Sequence, residues 1–356
     1  MKIQAEVVAD SLSPYGNRLT TLLVTMPRYI LAEFNTHRML SKNSASSRAI
    51  PFEKNLKSVM ENPFIPVAWM KDHKGMQGTE YITDIDTVDA LETIWRRLIE
   101  EALYHSKQLY YNSLTKQLCN RPLEAYMWHT VLVSATEWEN FFALRCPQYV
   151  LPVGKGERYF RSRKDYMRAK EYPHDIIGSL DDSTILDWLK INRGQADIHM
   201  MLTAEAIWDA MNESTPKQLQ AGDWHMPFGD NIEIEKLEKA IDASGVYGAV
   251  SDYENFKQNS IIKVSTARCA QTSYTVIGED EKEMNYEKLI ALHDRLVKSG
   301  HWSPFEHCAR VMSEEEYYEN FNGKFNPVSY EHISGWSGNF RGFIQYRKMF
   351  ANENIS

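Results

Sequence analysis

The sequence predicts an α+β fold, and three observations lead to it. The chain opens on a segment of period two joined by turn residues to a second strand-like run, and later segments repeat apolar residues at helical spacing. Neither an internal repeat nor a low-complexity linker divides the 356 residues. One intertwined unit over 1–356 is therefore expected rather than two separable domains. Hydrophobic residues make up 43% and charged residues 25%, enough for a core and inconsistent with a disordered chain.

The elements follow in order. Residues 2–9 alternate and read as a strand, Ser13-Pro14-Tyr15-Gly16-Asn17 supplies turn chemistry, and Leu19 to Met26 reads as its hairpin partner. Pro27 suits the first turn of a helix running toward His37. Residues 35–49 are polar and read as a loop. The clearest helix is Asp86 to about Gln108, with Leu91, Trp95, Leu98, Ala102 and Leu109 as its apolar stripe.

Met127 to Leu144 is aromatic-rich, with a helix expected to start near Ser134 or Thr136 as cap. The charged stretch 149–194 reads as an insertion carrying one short helix near 185–191. Ala196 to Met211 reads as a helix, and 232–243 as an acidic one. Ile261 to Ala267 reads as a strand, and Glu287 to Lys298 as a helix closed by Gly300.

Composition excludes several classes of function. The net charge of -8 argues against coating a nucleic-acid polymer or an anionic membrane, so a bound phosphate needs a local cationic pocket. The four cysteines show no C-x-x-C or metal-ligand spacing, so no metal site is expected and four reduced, mostly buried thiols are. The first residues resemble neither a signal peptide nor a membrane span, and a cytoplasmic location is expected.

Asn35 to Arg48 is the most informative segment. Within it lie His37, Arg38, Lys42 and Arg48 among serine, threonine and asparagine side chains. In an acidic chain this suits an anion pocket, since arginine offers paired planar donors and hydroxyls complete the shell. A solvated basic loop has the same composition, and residue types alone leave both readings open.

His37-Arg38, Ser41, Asn43, Ser46 and Arg48 follow the spacing R-H-R-x-x-S-x-N-E-x-S-x-R. In this they resemble the flavin-dependent thymidylate synthases, the ThyX family. Ser134 to Arg145 is similar to that family's N-x-R-x-L-x-N-F-x-x-L-R. Gly300-His301 with Ser303-Pro304-Phe305-Glu306-His307 is similar to its G-H-x-[ST]-P-F-E-H, and Thr266-Ala267-Arg268-Cys269 to its A-A-R-V. The last two segments stand first in the family and last here. The resemblance thus implies a ThyX-like central, mostly antiparallel sheet flanked by helices, circularly permuted. Permutation is tolerated when termini lie close and core contacts survive.

The resemblance implies transfer of a one-carbon unit from 5,10-methylenetetrahydrofolate to C5 of a pyrimidine deoxynucleotide, dUMP to dTMP, with FAD as cofactor and NADPH as co-substrate. It implies a homotetramer. Carried over residue by residue, Ser44, Ser46 and Arg48 contact the nucleotide. Arg145 serves both binding and catalysis, because a guanidinium stabilises the negative charge that develops along N3–C4–O4. His37, Arg38, Asn140, His301, Ser303 and Glu306 are implied as flavin contacts. For Arg145 a helix-end arginine capping a carbonyl, and for His307 a core histidine, are the competing readings.

Several positions depart from the pattern. Thr36 replaces the first arginine, Ser44 the glutamate and Ser134 the asparagine, and Glu33 stands where the family has glutamine. Arg121 falls one step late for the family's phosphate-binding arginine, which suggests compensation by Arg341 or Arg347. A cytosine base, which Glu33 could bind through its exocyclic amine, or a hydroxymethyl product therefore stays open. So does a catalytically inactive flavin- or nucleotide-binding protein. A classical thymidylate synthase would need a nucleophilic cysteine, and Cys146-Pro147 is the one place that invites it, although its surroundings do not match.

Overall fold

The protein is described as a computed structural model over residues 2–74, 78–243, 252–273, 284–321 and 337–353. Strands β1 (Gln4–Leu12) and β2 (Arg18–Pro27) form the expected hairpin, paired from Gln4 opposite Thr25 to Leu12 opposite Arg18 with a shift of register between Val7 and Ala9. Gly16 closes the turn at φ 81, a left-handed conformation that glycine adopts without a Cβ penalty. Arg28–Ile30 and helix α1 (Leu31–Asn35) follow Pro27 as anticipated.

The polar segment after α1 is only partly a loop. Its centre is strand β3 (Ser41–Ser44), whose short polar side chains were misread because backbone pairing with a later strand, not hydrophobic alternation, makes it a strand. Helix α2 is Phe52–Glu61. Helix α3 spans Ile85–Tyr111, with the Asp84 carboxylate capping Thr87 N at 2.9 Å.

The stripe expected on α3 is displaced. Ile99 and Ser106 face the core and Trp95 reaches Phe64 O at 3.0 Å, while Leu98 and Leu109 stay exposed. Two apolar lines run along this helix, and only the one meeting α2 and residues 119–127 is covered.

After α4 (Lys116–Cys119) comes strand β4 (Trp128–Ala135), buried along nearly its whole length. Ser134 therefore caps no helix. Its hydroxyl bonds Thr21 Oγ1 at 2.6 Å and His307 Nδ1 at 2.8 Å, and helix α5 (Glu139–Arg145) starts after Trp138 with no side-chain cap.

The segment read as an insertion with one helix is richer than expected. It holds a hairpin, β5 (Tyr149–Val153) with β6 (Gly156–Phe160), and three helices, α6 (Arg163–Ala169), α7 (His174–Gly178) and α8 (Ile185–Lys190). Buried Arg163 ties it to Glu205 through Nε at 3.1 Å. Glu205 belongs to α9 (Ile198–Glu213), the helix that packs on β1 and β2.

Strands β7 (Lys217–Gln218) and β8 (Trp224–His225) precede α10 (Ile234–Ala243). Residues 261–267, expected as a strand, lie inside helix α11 (Tyr253–Gln271). The β-branched run misled. Asp252 caps the helix, and Ser260 and Thr266 bond the carbonyls four residues back, at 2.9 Å each, instead of competing with the helix. Helix α12 (Tyr286–Ser299) ends as predicted on Gly300, at φ 68. Strand β9 (Ala309–Val311), helix α13 (Glu314–Phe321) and strand β10 (Phe343–Gln345) complete the described elements.

The main sheet has the order β3-β4-β2-β1-β7, antiparallel except where β7 runs parallel to β1. This is the mostly antiparallel, helix-flanked sheet that was expected. A second sheet, β10-β9-β8, docks beside it. A buried chain of hydrogen bonds joins the two sheets: Ser11 Oγ to His225 Nδ1 (2.8 Å), His225 Nε2 to Thr21 (2.8 Å), Thr21 to Ser134, and Ser134 to His307. Burial holds both imidazoles neutral, pushed down to about 3, so His307 is a core histidine. All four cysteines are unpaired and buried. Among the described residues no helix is long and apolar enough to cross a membrane.

Candidate functional site

Strand β3 is the meeting point of the motif segments. Ser41 and Asn43 are buried on one side of it, with Lys42 and Ser44 half-buried on the other. From Asn43, Nδ2 donates to Cys269 O at 2.6 Å and to Thr272 Oγ1 at 2.9 Å, and Oδ1 accepts from Ser273 Oγ at 3.2 Å. The Ser303 hydroxyl donates to Lys42 O at 3.3 Å across 261 residues of sequence. Ser41 Oγ accepts from Asn339 Nδ2 at 2.9 Å and Gln345 Nε2 at 3.1 Å.

The Lys42 ammonium closes the turn before the strand by donating to His37 O at 2.5 Å and Leu40 O at 2.9 Å. Burial lowers its pKa to about 8, partly offset by the negative charge of Glu306. Three segments far from it in sequence, 269–273, 303–306 and 339–345, thus converge on this four-residue strand within one chain.

His37 sits at the end of that turn, edge-on to Phe141 at 4.9 Å and 88°. Its Nε2 accepts a hydrogen bond from Arg145 Nε at 2.9 Å across 108 residues. Burial, then the charges of Arg145 and Lys42, lower the imidazole to about 4, so it accepts as a neutral ring. Arg145 Nη1 lies 3.7 Å from Glu33 Oε2. Of the two readings of Arg145, the carbonyl cap fails, since its partners are an imidazole and a carboxylate. Exposed Glu33, half-buried Arg145 and buried His37 form a patch with donor and acceptor side by side, able to address the edge of a heterocycle.

The remaining residues divide. Ser46 N donates to Ser273 O at 3.2 Å, and Ser46 Oγ accepts from Arg48 N at 3.3 Å, which fixes a tight turn with the Arg48 side chain exposed. Lys116 Nζ to Ala49 O (3.1 Å) and Asn120 Nδ2 to Ser47 O (2.8 Å) hold the same turn from the other side. Ser44 lies on β3. Arg121 is exposed and pairs with Glu124 at 3.0 Å.

Neither arginine suggested as compensation stands free. Arg347 pairs with Glu306 at 2.5 Å and Glu353 at 3.1 Å, and Arg341 with Glu137 at 3.2 Å. Arg38, Asn140 and His301 are exposed, and His301 Nδ1 meets Ser299 Oγ at 2.8 Å. Cys146 is buried and burial pushes its thiol far up, which removes the nucleophilic-cysteine reading.

Sequence reading assigned no role to Lys42, Phe141, Asn339 or Gln345. Lys42 and Asn43 lay inside the motif, so their position was visible. The partners in Phe141 and Gln345 depend on which segments the sheet brings together.

No family model matches this chain, and no curated protein does. Among solved structures it is similar to a UMP/dUMP methylase, PolB, from Streptomyces cacaoi. With PolB bound to 5-Br dUMP the identity is 14% and the TM-score 0.34, over 58% of this chain and 95% of that one. With PolB bound to 5-Br UMP the values are 16% and 0.30, over 37% and 71%.

Proposed function

We propose that this chain is an enzyme that transfers a one-carbon unit from 5,10-methylenetetrahydrofolate to C5 of a pyrimidine nucleotide, in the manner of the flavin-dependent thymidylate synthases it resembles, in circularly permuted order. The observation that supports this reading is the convergence on β3. Lys42 bonds His37, His37 bonds Arg145, Asn43 bonds Cys269, and Ser303 bonds Lys42, so all four signature segments meet.

In this reading Arg145 donates to the N3–C4–O4 edge and stabilises the charge gathered there as C5 becomes nucleophilic. Ser44, Ser46 and Arg48 receive the phosphate, with Arg121 beyond the same turn. A carbon–carbon bond forms at C5 as the C5 hydrogen leaves as a proton, and the transferred carbon's bonds to the folate nitrogens break to release tetrahydrofolate.

The residues carried over for FAD fit it in part. Arg38, Asn140 and His301 offer polar side chains at the surface, whereas His37, Ser303 and Glu306 are engaged inside the chain. When bound, reduced FAD, regenerated from NADPH, supplies the electrons that bring the transferred carbon to a methyl group. The reading carries a homotetramer with it, on resemblance alone.

One contact favours a second reading. The Glu33 carboxylate beside Arg145 can accept from the exocyclic amine of cytosine, so a dCMP methylase or hydroxymethylase is the alternative. The test incubates purified protein with FAD, NADPH and methylenetetrahydrofolate, and with dUMP or dCMP separately, and determines the nucleotide's mass and C5 hydrogen release. A methylated dUMP supports the first reading, and a modified dCMP the second. Nucleotide binding without hydrogen release from either would leave an inactive binding protein.

A further inference from the structure

Arginine is often credited with a role in binding without an account of what aims it. Its guanidinium turns about the Cδ–Nε bond, and two Nη groups present different donor patterns at different settings. A fixed partner on Nε removes that freedom, because the group is planar and its outer edge is then set. In this chain the partner is an imidazole nitrogen, His37 Nε2, at 2.9 Å.

We propose that His37 is a positioning residue that holds Arg145, through a hydrogen bond accepted at unprotonated Nε2, with its Nη edge presented to the base. The inference rests on the nucleotide reading above. It differs from the flavin contact that the resemblance implies for this histidine.

Each neighbour of His37 fits the assignment. Nε2 accepts, so the ring proton resides on Nδ1. Phe141 sets the ring plane edge-on at 88°. The backbone is held from both ends: His37 N donates to Phe34 O at 3.3 Å, and His37 O accepts from Leu40 N at 3.2 Å and Lys42 Nζ at 2.5 Å. Lys42 therefore acts on Arg145 through the histidine.

The charged groups around the pair come from three directions. Arg145 faces His37 from α5, Lys42 from β3, and Glu33 from α1 through Arg145, with Glu306 facing Lys42. Two cations oppose protonation of the ring, and its ordinary titration is displaced downward to about 4. Once protonated, the ring has no lone pair for Arg145 Nε and repels it, which leaves the guanidinium to Glu33.

The test uses the full chain with H37Q, whose amide oxygen can accept, and H37F, which fills the space without an acceptor. With the nucleotide that reacts, H37F is expected to lower kcat for C5 hydrogen release about 100-fold, the scale of a misplaced catalytic group, while KM changes little. H37Q recovers most of that loss.

The second readout needs no activity. The Arg145 Nε–H resonance, assigned by its absence in R145K, is expected to be exchange-protected in wild type and H37Q and lost in H37F. An unchanged resonance in H37F overturns the inference, as does H37Q as impaired as H37F. If no nucleotide reacts, the functional reading fails, and the resonance still decides whether His37 holds Arg145.

Discussion

Asn43 is the most connected side chain of β3, and its removal has a magnitude that the contacts fix. Asn43→Ala deletes the bonds from Nδ2 to Cys269 O at 2.6 Å and Thr272 Oγ1 at 2.9 Å, and the contact from Ser273 at 3.2 Å. The lost partners are not all orphaned. Cys269 O keeps the Thr272 hydroxyl at 2.7 Å, and the Ser303 hydroxyl keeps Lys42 O. The full penalty of buried unsatisfied groups is therefore avoided. About 1 kcal/mol for each of the two best bonds gives a loss of about 2 kcal/mol.

Asn43→Asp behaves differently although it preserves shape. It places an oxygen where Nδ2 donated, against the Cys269 carbonyl, and buries a charge without a cation. That costs about 4 kcal/mol, the scale of an uncompensated buried ion. Urea unfolding followed by tryptophan fluorescence measures both variants. If the alanine variant lies within about 0.5 kcal/mol of wild type, or the aspartate variant is no worse than alanine, β3 is not held in the way described.

Three further outcomes are expected. Glu205→Ala leaves Arg163 buried with only the Asp182 carboxylate and the Asp181 carbonyl, and should cost about 3–5 kcal/mol by thermal or urea unfolding, far more than the paired Glu205→Met, Arg163→Met variant. Asp209 has a buried Oδ1 without a partner and burial raises its carboxyl to about 7, so the folded state holds a proton that the unfolded chain releases near 3.8. Its contribution is greatest in acid and is lost as pH rises to 7. Asp209→Asn should therefore gain on wild type by on the order of 3 kcal/mol between pH 5 and pH 8, and equal gains at both would refute this.

His129, His225 and His307 are displaced the other way, to about 3, chiefly by burial. The folded state then binds fewer protons than the unfolded chain below pH 6.5. Stability is complete above that value and should fall as pH drops, at up to about 4 kcal/mol per pH unit. A urea midpoint that is flat down to pH 5 would refute neutral, buried rings.

What the sequence revealed depended on the range of the interaction. The β1–β2 hairpin and the Gly300 stop were legible because a turn or a cap is written in adjacent residues. β3 was not, since Ser41-Lys42-Asn43-Ser44 has no strand propensity and becomes a strand by pairing with β4. α11 was misread over Ile261–Ala267, where β-branching outweighed an N-cap nine residues upstream. At the candidate site, Arg145 and His37 were visible as motif residues. Their hydrogen bond was not, because it depends on the turn Lys42 closes and the angle at which α5 leaves the sheet.

β3 is four residues long, and most of what fixes its side chains comes from beyond residue 268. During synthesis the earlier half can form its hairpin and β4 while the strand's outer surface still waits for partners. The strand's final setting is thus a late product of folding, made by contacts of very long sequence separation, which are slow to form. An isolated early half would carry all three residues of the Glu33–His37–Arg145 patch and the turn that Lys42 closes, and still lack the groups that hold Asn43 in place.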